Sequence, residues 1–420
     1  MAVNATAIWR VRPSGSNNNG GGFDPGIASP GTDYSQQNAA QVTFDGVTVA
    51  AHTSGITTTI ILTGYTVATT DVGNCLQISG GTNFVTGFYF ITTVNTSLNT
   101  WTLDRNATSG VGTGMTGRMG GGWADFWTNT STDYVTTPGP VAGNTIYILG
   151  SGTPNSSSYS FDYTAGYQGL GGLISGNATT GGLVTFANDP GTPGYKAPPD
   201  TTGGMPCIST SSRFESAGSV NGYRKWAGLY WVLGGLGASA NFFMNSLQTY
   251  EGCVLDQASY DVNLNNTQPV TVIGCEIFSS VAPGSSGTHY AVGNPAETGL
   301  ILGCNIHDTV GPGIQASDFG TIANCIVAKC RGNGITVSDG LDGPGAQIVL
   351  SNNTIDGNAG NGIEFVTQGV VARTLTFNNI ISNHTQAGTY GMTADAGTAA
   401  QNDRVKNSSI PTSSTTTRPM

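Results

Sequence analysis

Glu364, in the run GNGIEFV (360–366), and Asp339 and Asp342, in DGLDGPG (339–345), are the carboxyl groups here best suited to work on a glycosidic bond. Glycan hydrolysis needs two such groups about 5 to 9.5 Å apart, one to protonate the leaving oxygen and one to attack or to activate water. In a coiling chain that pair comes from one face of neighbouring turns. The acids of DGLDGPG equally fit a turn, where Asp bonds the backbone. Glu276 and Asp308 are a further pair, but they follow Cys275 and Cys304 by one and four positions, which places them at different points of a repeat. His307 and Asp308 read as a dyad on paper, yet adjacent strand residues face opposite ways. A lyase would want an Asp cluster for Ca²⁺ and a basic side chain, and Lys329 and Arg331 lack that company. The expectation is therefore no catalytic residue, with Asp339, Asp342 and Glu364 as candidates for a polysaccharide hydrolase or lyase alternative.

Aromatic and sulfur side chains are the other chemistry on offer. Trp226, Tyr230 and Trp231 could stack on pyranose rings. At period two, Trp226 and Tyr230 share a face and Trp231 takes the other, so at least one side is core, and core packing is the reading for most of them. Trp123 and Trp127 lie in GGWADFWTNTSTDY and fit a domain joint or an inter-chain contact. The seven Cys and four His show no metal-ligand spacing, so neither metal nor cofactor is expected.

A repeated phrase positions all of these. It reads LQTYEGCVLD (247–256), VTVIGCEIF (270–278), LILGCNIHD (300–308), TIANCIVAKC (321–330), IVLSNNTID (348–356) and LTFNNIIS (375–382). Each is an alternating apolar run, then Gly or Asn, then one Cys or Asn, then another apolar pair. The pivots are Cys253, Cys275, Cys304, Cys325, Asn353 and Asn379, and the steps between them are unequal. Between pivots fall GPGIQAS (311–317), GNGITVS (332–338) and GNGIEFV. Strand-like alternation that recurs every roughly 20 to 30 residues, with Gly and Asn corners, is the pattern of a β-solenoid. Stacked turns place equivalent residues in ladders about 4.8 Å apart. An inward pivot must then be small: Cys behaves as a small hydrophobe, and stacked Asn side chains can bond along the ladder. Such thiols are expected to be unpaired, since in-register neighbours lack disulfide geometry.

Composition narrows the class. The chain has 63 Gly in 420 residues and only 9% charged residues, against about 25% in an ordinary domain. Its 15 Phe, 15 Tyr and 6 Trp argue against disorder. The net charge of −10, without a Lys/Arg cluster, excludes a phosphate-backbone partner. No apolar run approaches the roughly 18 residues of a membrane span. The start, MAVNATAIWRVRPSG, lacks a secretory apolar core, and free thiols suit assembly in a reducing cytoplasm.

The chain divides into an extended N-terminal arm (1–40), a small antiparallel β-barrel or sandwich (41–120), a joint (121–140), the solenoid (141–395) and a Ser/Thr-rich tail (396–420). The arm reads equally as a disordered leader, and the tail as disordered or as a strand added to another chain. The fold class is all-β.

The repeats resemble the right-handed parallel β-helix of the pectate-lyase-like superfold. The opening, IWRVRPSGSNNNGGGFDPG with DVGNCLQISGGTNFVTGFYFITTV, is similar to virion proteins of tailed bacteriophages: head decorations, fibres and tailspikes. The resemblance implies a non-enzymatic structural protein of a phage or phage-like virion, assembled in the host cytoplasm. It further implies capsid or tail proteins as partners, a homo-oligomer with a trimer as one form, and a host glycan as one ligand. The alternatives are a tailspike that binds or cleaves host polysaccharide, and a bacterial surface adhesin. The NTD, DD, GHG and RIK motifs of polygalacturonase-like β-helices are absent.

Overall fold

The structure is a computed structural model. It describes residues 4–38, 42–43, 49–54, 57–124, 139–151, 157–161, 183–210, 223–233, 248–256, 262–263, 270–279, 291–293, 299–309, 311–317, 320–338, 347–366, 373–384 and 391–394. Asp339, Asp342, Trp127 and the tail 396–420 lie outside these residues.

Three sheets of 11, 9 and 6 strands run alongside one another, with successive rungs paired in parallel. Each rung after the first contributes one strand to the first sheet, turns a corner, contributes one to the second, and in the later rungs one to the third. The rung of pivot Cys325, for example, uses Gly320–Ala323, Ile326–Ala328 and Ile335–Ser338. This is an all-β parallel β-helix. Its bore is filled by inward residues that stack from rung to rung: Trp226, Tyr250, Val272, Ile301, Ile322 and Leu350 are in register along the first sheet. All six are at most 1% exposed, and each apolar side chain so buried contributes about 1.5–3 kcal/mol before the entropy of ordering it.

The corners explain the repeated phrase. The residue before each pivot has positive φ: Gly252 +57°, Gly274 +58°, Gly303 +63°, Asn324 +56°, Asn352 +54° and Asn378 +55°. Only Gly and Asn enter that region cheaply. Its N–H still bonds the next rung, as from Gly274 to the Leu302 carbonyl at 2.8 Å, so the ladder runs unbroken around the bend. The choice between the two residues follows space. A Cβ on Gly252 or Gly274 would lie 2.7 or 2.4 Å from Pro199, in the loop over this corner, whereas at Gly303 the corner is open and beyond it Asn appears.

The N-terminal region differs from the expected arm. Ile8–Val11 pairs in parallel with Thr145–Ile148 and is the first rung strand of the first sheet. Trp9 and Val11 are fully buried, while Arg10 and Arg12 reach Asp189 at 3.3 and 3.4 Å. An arm could not bury a Trp and bond a rung. Gly22–Phe23 pairs antiparallel with the outer edge of this strand and so covers the open end of the ladder.

The seven-stranded antiparallel sheet runs from Val42–Thr43 to Thr108–Met119. It is therefore an insertion between the first two strands of the solenoid. Its edge strand Val49–Ser54 lies back alongside Thr108–Met119, curling the sheet around Leu76, Ile78, Tyr89, Ile91, Trp101 and Met115. The chain returns at Trp123, which bridges to Val11. Trp123 stacks on Trp9 at 4.9 Å, and Phe88 and Phe90 meet Trp9 edge-on at 6.0 and 5.6 Å. Solenoid and insertion share this aromatic seam.

Candidate functional site: the outer face of the second sheet

The interior file comes first, because it takes six of the singled-out residues. Cys253, Cys275, Cys304, Cys325, Asn353 and Asn379 are all at most 1% exposed, and all seven Cys are free thiols. The thiols face carbonyl oxygens of the backbone, Cys325 Sγ lying 3.2 Å from the Ala323 carbonyl. Where the file turns to carboxamides, each side chain serves two rungs. Asn353 accepts from the Cys325 N–H at 3.0 Å and donates to the Ile322 carbonyl at 2.9 Å. Asn379 repeats this with the Asn353 N–H and the Leu350 carbonyl, both at 3.0 Å. Burial pushes the Cys275 thiol well up. Inside the bore these groups hold the corner.

A second file was missed by sequence reasoning. Thr309, Cys330 and Asn358 are buried at the corner between the second and third sheets. Asn358 accepts from the Cys330 N–H at 2.9 Å and donates to the Val327 carbonyl at 3.0 Å. Each lies five positions after its pivot, and the residue before it has positive φ: Asp308, Lys329 and Gly357. That fixed offset was the available signal.

The described aromatic candidates go to packing, the reading taken for most of Trp226, Tyr230 and Trp231, and not to a sugar platform. Trp123, Trp226 and Trp231 are 0% exposed and Tyr230 is 7% exposed, so none can stack on a sugar. Gly228, at φ +65°, resets the alternation, and Trp226 and Trp231 share the bore edge-to-face at 5.4 Å. Tyr230 points outward but lies under a cluster with Met205, Cys207 and Val254. Its hydroxyl donates to Asp256 at 3.5 Å, and burial, then Asp256, push its pKa up.

Glu364 faces outward on the third sheet and is held by Asn333 and Asn361, its contact with Asn361 being 3.2 Å. Asn361 N–H in turn donates to Asn333 at 2.8 Å. A carboxylate bracketed by two carboxamides ties one rung to the next. Its expected partner Asp339 is outside the described residues.

The polar cluster that does form is one the pattern argued against. Glu276 lies on Glu276–Phe278 and His307 on the next rung's Asn305–His307. His307 Nε2 is 3.2 Å from Glu276 and Nδ1 is 2.8 Å from Asp308. Strict alternation would send Asp308 to the other face, but its φ of +51° ends the strand there and turns the carboxyl back. Phe278 stacks on the imidazole at 5.5 Å with only 7° between planes. The side chains of Glu276, His307 and Asp308 are 31%, 24% and 54% exposed. Upstream along the same outward column, Cys207, Tyr230 and Val254 are covered; downstream, Ile326 and Ile380 are 49% and 40% exposed. The cluster thus sits where the covered face of the solenoid opens. It offers hydrogen-bond acceptors beside a flat ring. Both acids, however, are committed to one imidazole. Among the described residues no group of three His, Cys, Asp or Glu has metal-holding geometry, and no helix is long and apolar enough to cross a membrane.

Fold and comparisons define the class together: an all-β protein whose parallel β-helix is joined to an antiparallel β region. The family model described as a right-handed beta helix region matches residues 237–405. Among solved structures, the chain is similar to a crystal structure of pectate lyase Pel9A. The two are 14% identical, over 63% of this chain and 71% of that one, with a TM-score of 0.31, which carries no argument about activity. No curated protein matches the chain.

Proposed function

We propose that this is a non-enzymatic structural protein of a tailed phage or phage-like particle, a capsid decoration or a fibre or spike. In this reading the inserted sheet is the attachment end and the solenoid the rigid body. The observation that carries it is the union of the two. The insertion leaves and re-enters the first rung, and Trp9, Trp123, Phe88 and Phe90 form one core across the boundary. A part that transmits load from an anchor to a rod needs such a hingeless joint. The partners are then capsid or tail proteins and further copies of the chain, a trimer being one arrangement. Assembly in the host cytoplasm suits the free thiols. Proteomics of purified particles is expected to find the protein in fixed stoichiometry with the shell or tail; particles without it would refute the reading.

The Glu276–His307–Asp308 cluster beside Phe278 supports a second reading, contact with a host polysaccharide. Incubation with capsule or lipopolysaccharide separates the cases. Retention without products indicates binding, new reducing ends or unsaturated sugars indicate cleavage, and neither outcome leaves the structural role alone.

A further inference from the structure

Where the cover of the upstream rungs ends, the outward column of the second sheet is polar: Glu276, then Asn305. That is what an open sheet face requires. Beyond them the same column turns apolar without regaining its cover. Ile326 and Ile380 are 49% and 40% exposed, and Phe377, just across the corner between the first and second sheets, is 39% exposed. These three are the exposed large hydrophobic side chains of the solenoid among the described residues; the others, Ile61, Val85, Leu98 and Val111, belong to the insertion. A single such side chain is ordinary, but three around one corner make a patch.

Upstream, the chain covers this corner itself. Pro198 lies 3.2 Å from where a Cβ of Gly228 would be, and Pro199 lies 2.7 and 2.4 Å from those of Gly252 and Gly274. At Gly303 the loop has passed and the corner is open. From there on the corner residues are Asn324, Asn352 and Asn378, all exposed. The bare rungs are also neutral: residues 320–328, 347–355 and 374–382 include no charged side chain, in a chain of net charge −10. Copies so charged repel one another unless they meet on neutral ground. In a two-fold contact each residue near the axis faces its own kind, so a charge there would oppose itself.

We propose that a second copy of this chain covers the bare corner, the two meeting two-fold with Ile326, Phe377 and Ile380 of one against the same three of its partner. Lys329 and Asp356, at the far edge of the second sheet, then lie on a polar rim. The inference rests on the reading above for copies as partners. Three rungs about 4.8 Å apart give a contact smaller than the roughly 800 Å² per partner of a standard interface, so pairing in the micromolar range is expected.

Sedimentation equilibrium of the full chain from about 1 to about 100 µM tests this. A monomer–dimer equilibrium is expected. Ile326→Asp or Phe377→Asp, at exposed positions, should weaken it at least about tenfold. Val111→Asp, on the insertion and 70% exposed, should leave it unchanged. A trimer, or a dimer held equally well by Ile326→Asp, overturns the proposal. So does a chain monomeric throughout, which would give the corner to a shell or tail protein. If the Asp variants do not fold, hydroxyl-radical footprinting of the unaltered chain decides: Phe377 and Ile380 must gain protection as concentration rises, and Val111 must not. Particles that lack the protein would refute the virion reading and leave the solution dimer standing, so the two failures are separable.

Discussion

The two ends of the bore solve one packing problem with different residues. Near the N-terminal end it holds Trp9, Phe186, Trp226, Trp231 and Tyr250, with Phe186 stacked on Trp226 at 4.5 Å. From Val272 onward its buried side chains are mostly aliphatic, and its corners hold thiols and then carboxamides. The aromatic rungs carry the long loop past Asp189 and support the insertion. In the later rungs, short hydrogen-bonded files replace ring area. Stability at one end should therefore answer to volume, and at the other to polar satisfaction.

The largest expected effect tests the first half of that contrast. Trp226→Ala removes a fully buried indole together with its N–H bond to Gln248 at 3.0 Å. A loss of about 3–5 kcal/mol is expected in chemical denaturation. Asn353→Ala tests the second half. It leaves the Cys325 N–H and the Ile322 carbonyl without their side-chain partner inside a dry corner and should cost about 2–4 kcal/mol. Asn353→Leu, close in volume, should rescue little of it. If leucine restored stability, the later rungs too would be governed by volume.

Alkali should act mainly on the thiol-bearing rungs. Burial pushes the Cys330 and Cys207 thiols up to about 11. A thiol whose folded value is raised stabilises fully below its unfolded value, and that contribution is lost as pH rises through the folded value. Stability should thus fall between about pH 9 and 11, by about 3 kcal/mol for Cys330 at roughly 1.4 kcal/mol per unit. Cys330→Ala should flatten that slope in denaturation curves measured across the window. An unchanged slope would remove the thiol from the account.

Much of the later solenoid was legible because its pivots sit at fixed distances from Gly or Asn corners, and those corners have a steric cause. What was not legible depended on changes of phase or on long-range pairing. Gly228 and Asp308 each break the period-two rule, which is why Trp226 joins Trp231 and why His307 meets Asp308. Nothing in IWRV announces a partner at residues 145–148, so the first rung read as an arm. Glu364 was legible as a candidate carboxyl, but only its Asn neighbours reveal a clamp.

The corner glycines sharpen the contrast at smaller scale. Gly303→Ala meets open space and should cost only the positive-φ strain, about 1–2 kcal/mol. Gly274→Ala adds a clash with Pro199 and should cost clearly more in a thermal-unfolding comparison. Equal losses would mean that the loop is not seated on the corner.

The smallest effect is expected at the exposed cluster, and there smallness is the informative result. Asp308→Asn keeps the size of the side chain and a residue type that accepts positive φ, and it removes only the charge facing His307. With Asp308 54% exposed, its contact with His307 should contribute less than about 0.5 kcal/mol to folding. A loss comparable to that of Asn353→Ala would make the cluster another structural file that happens to face outward. A neutral effect on unfolding combined with lost polysaccharide retention would instead mark the opening of the second sheet as a contact surface, built on a scaffold whose stability lies elsewhere.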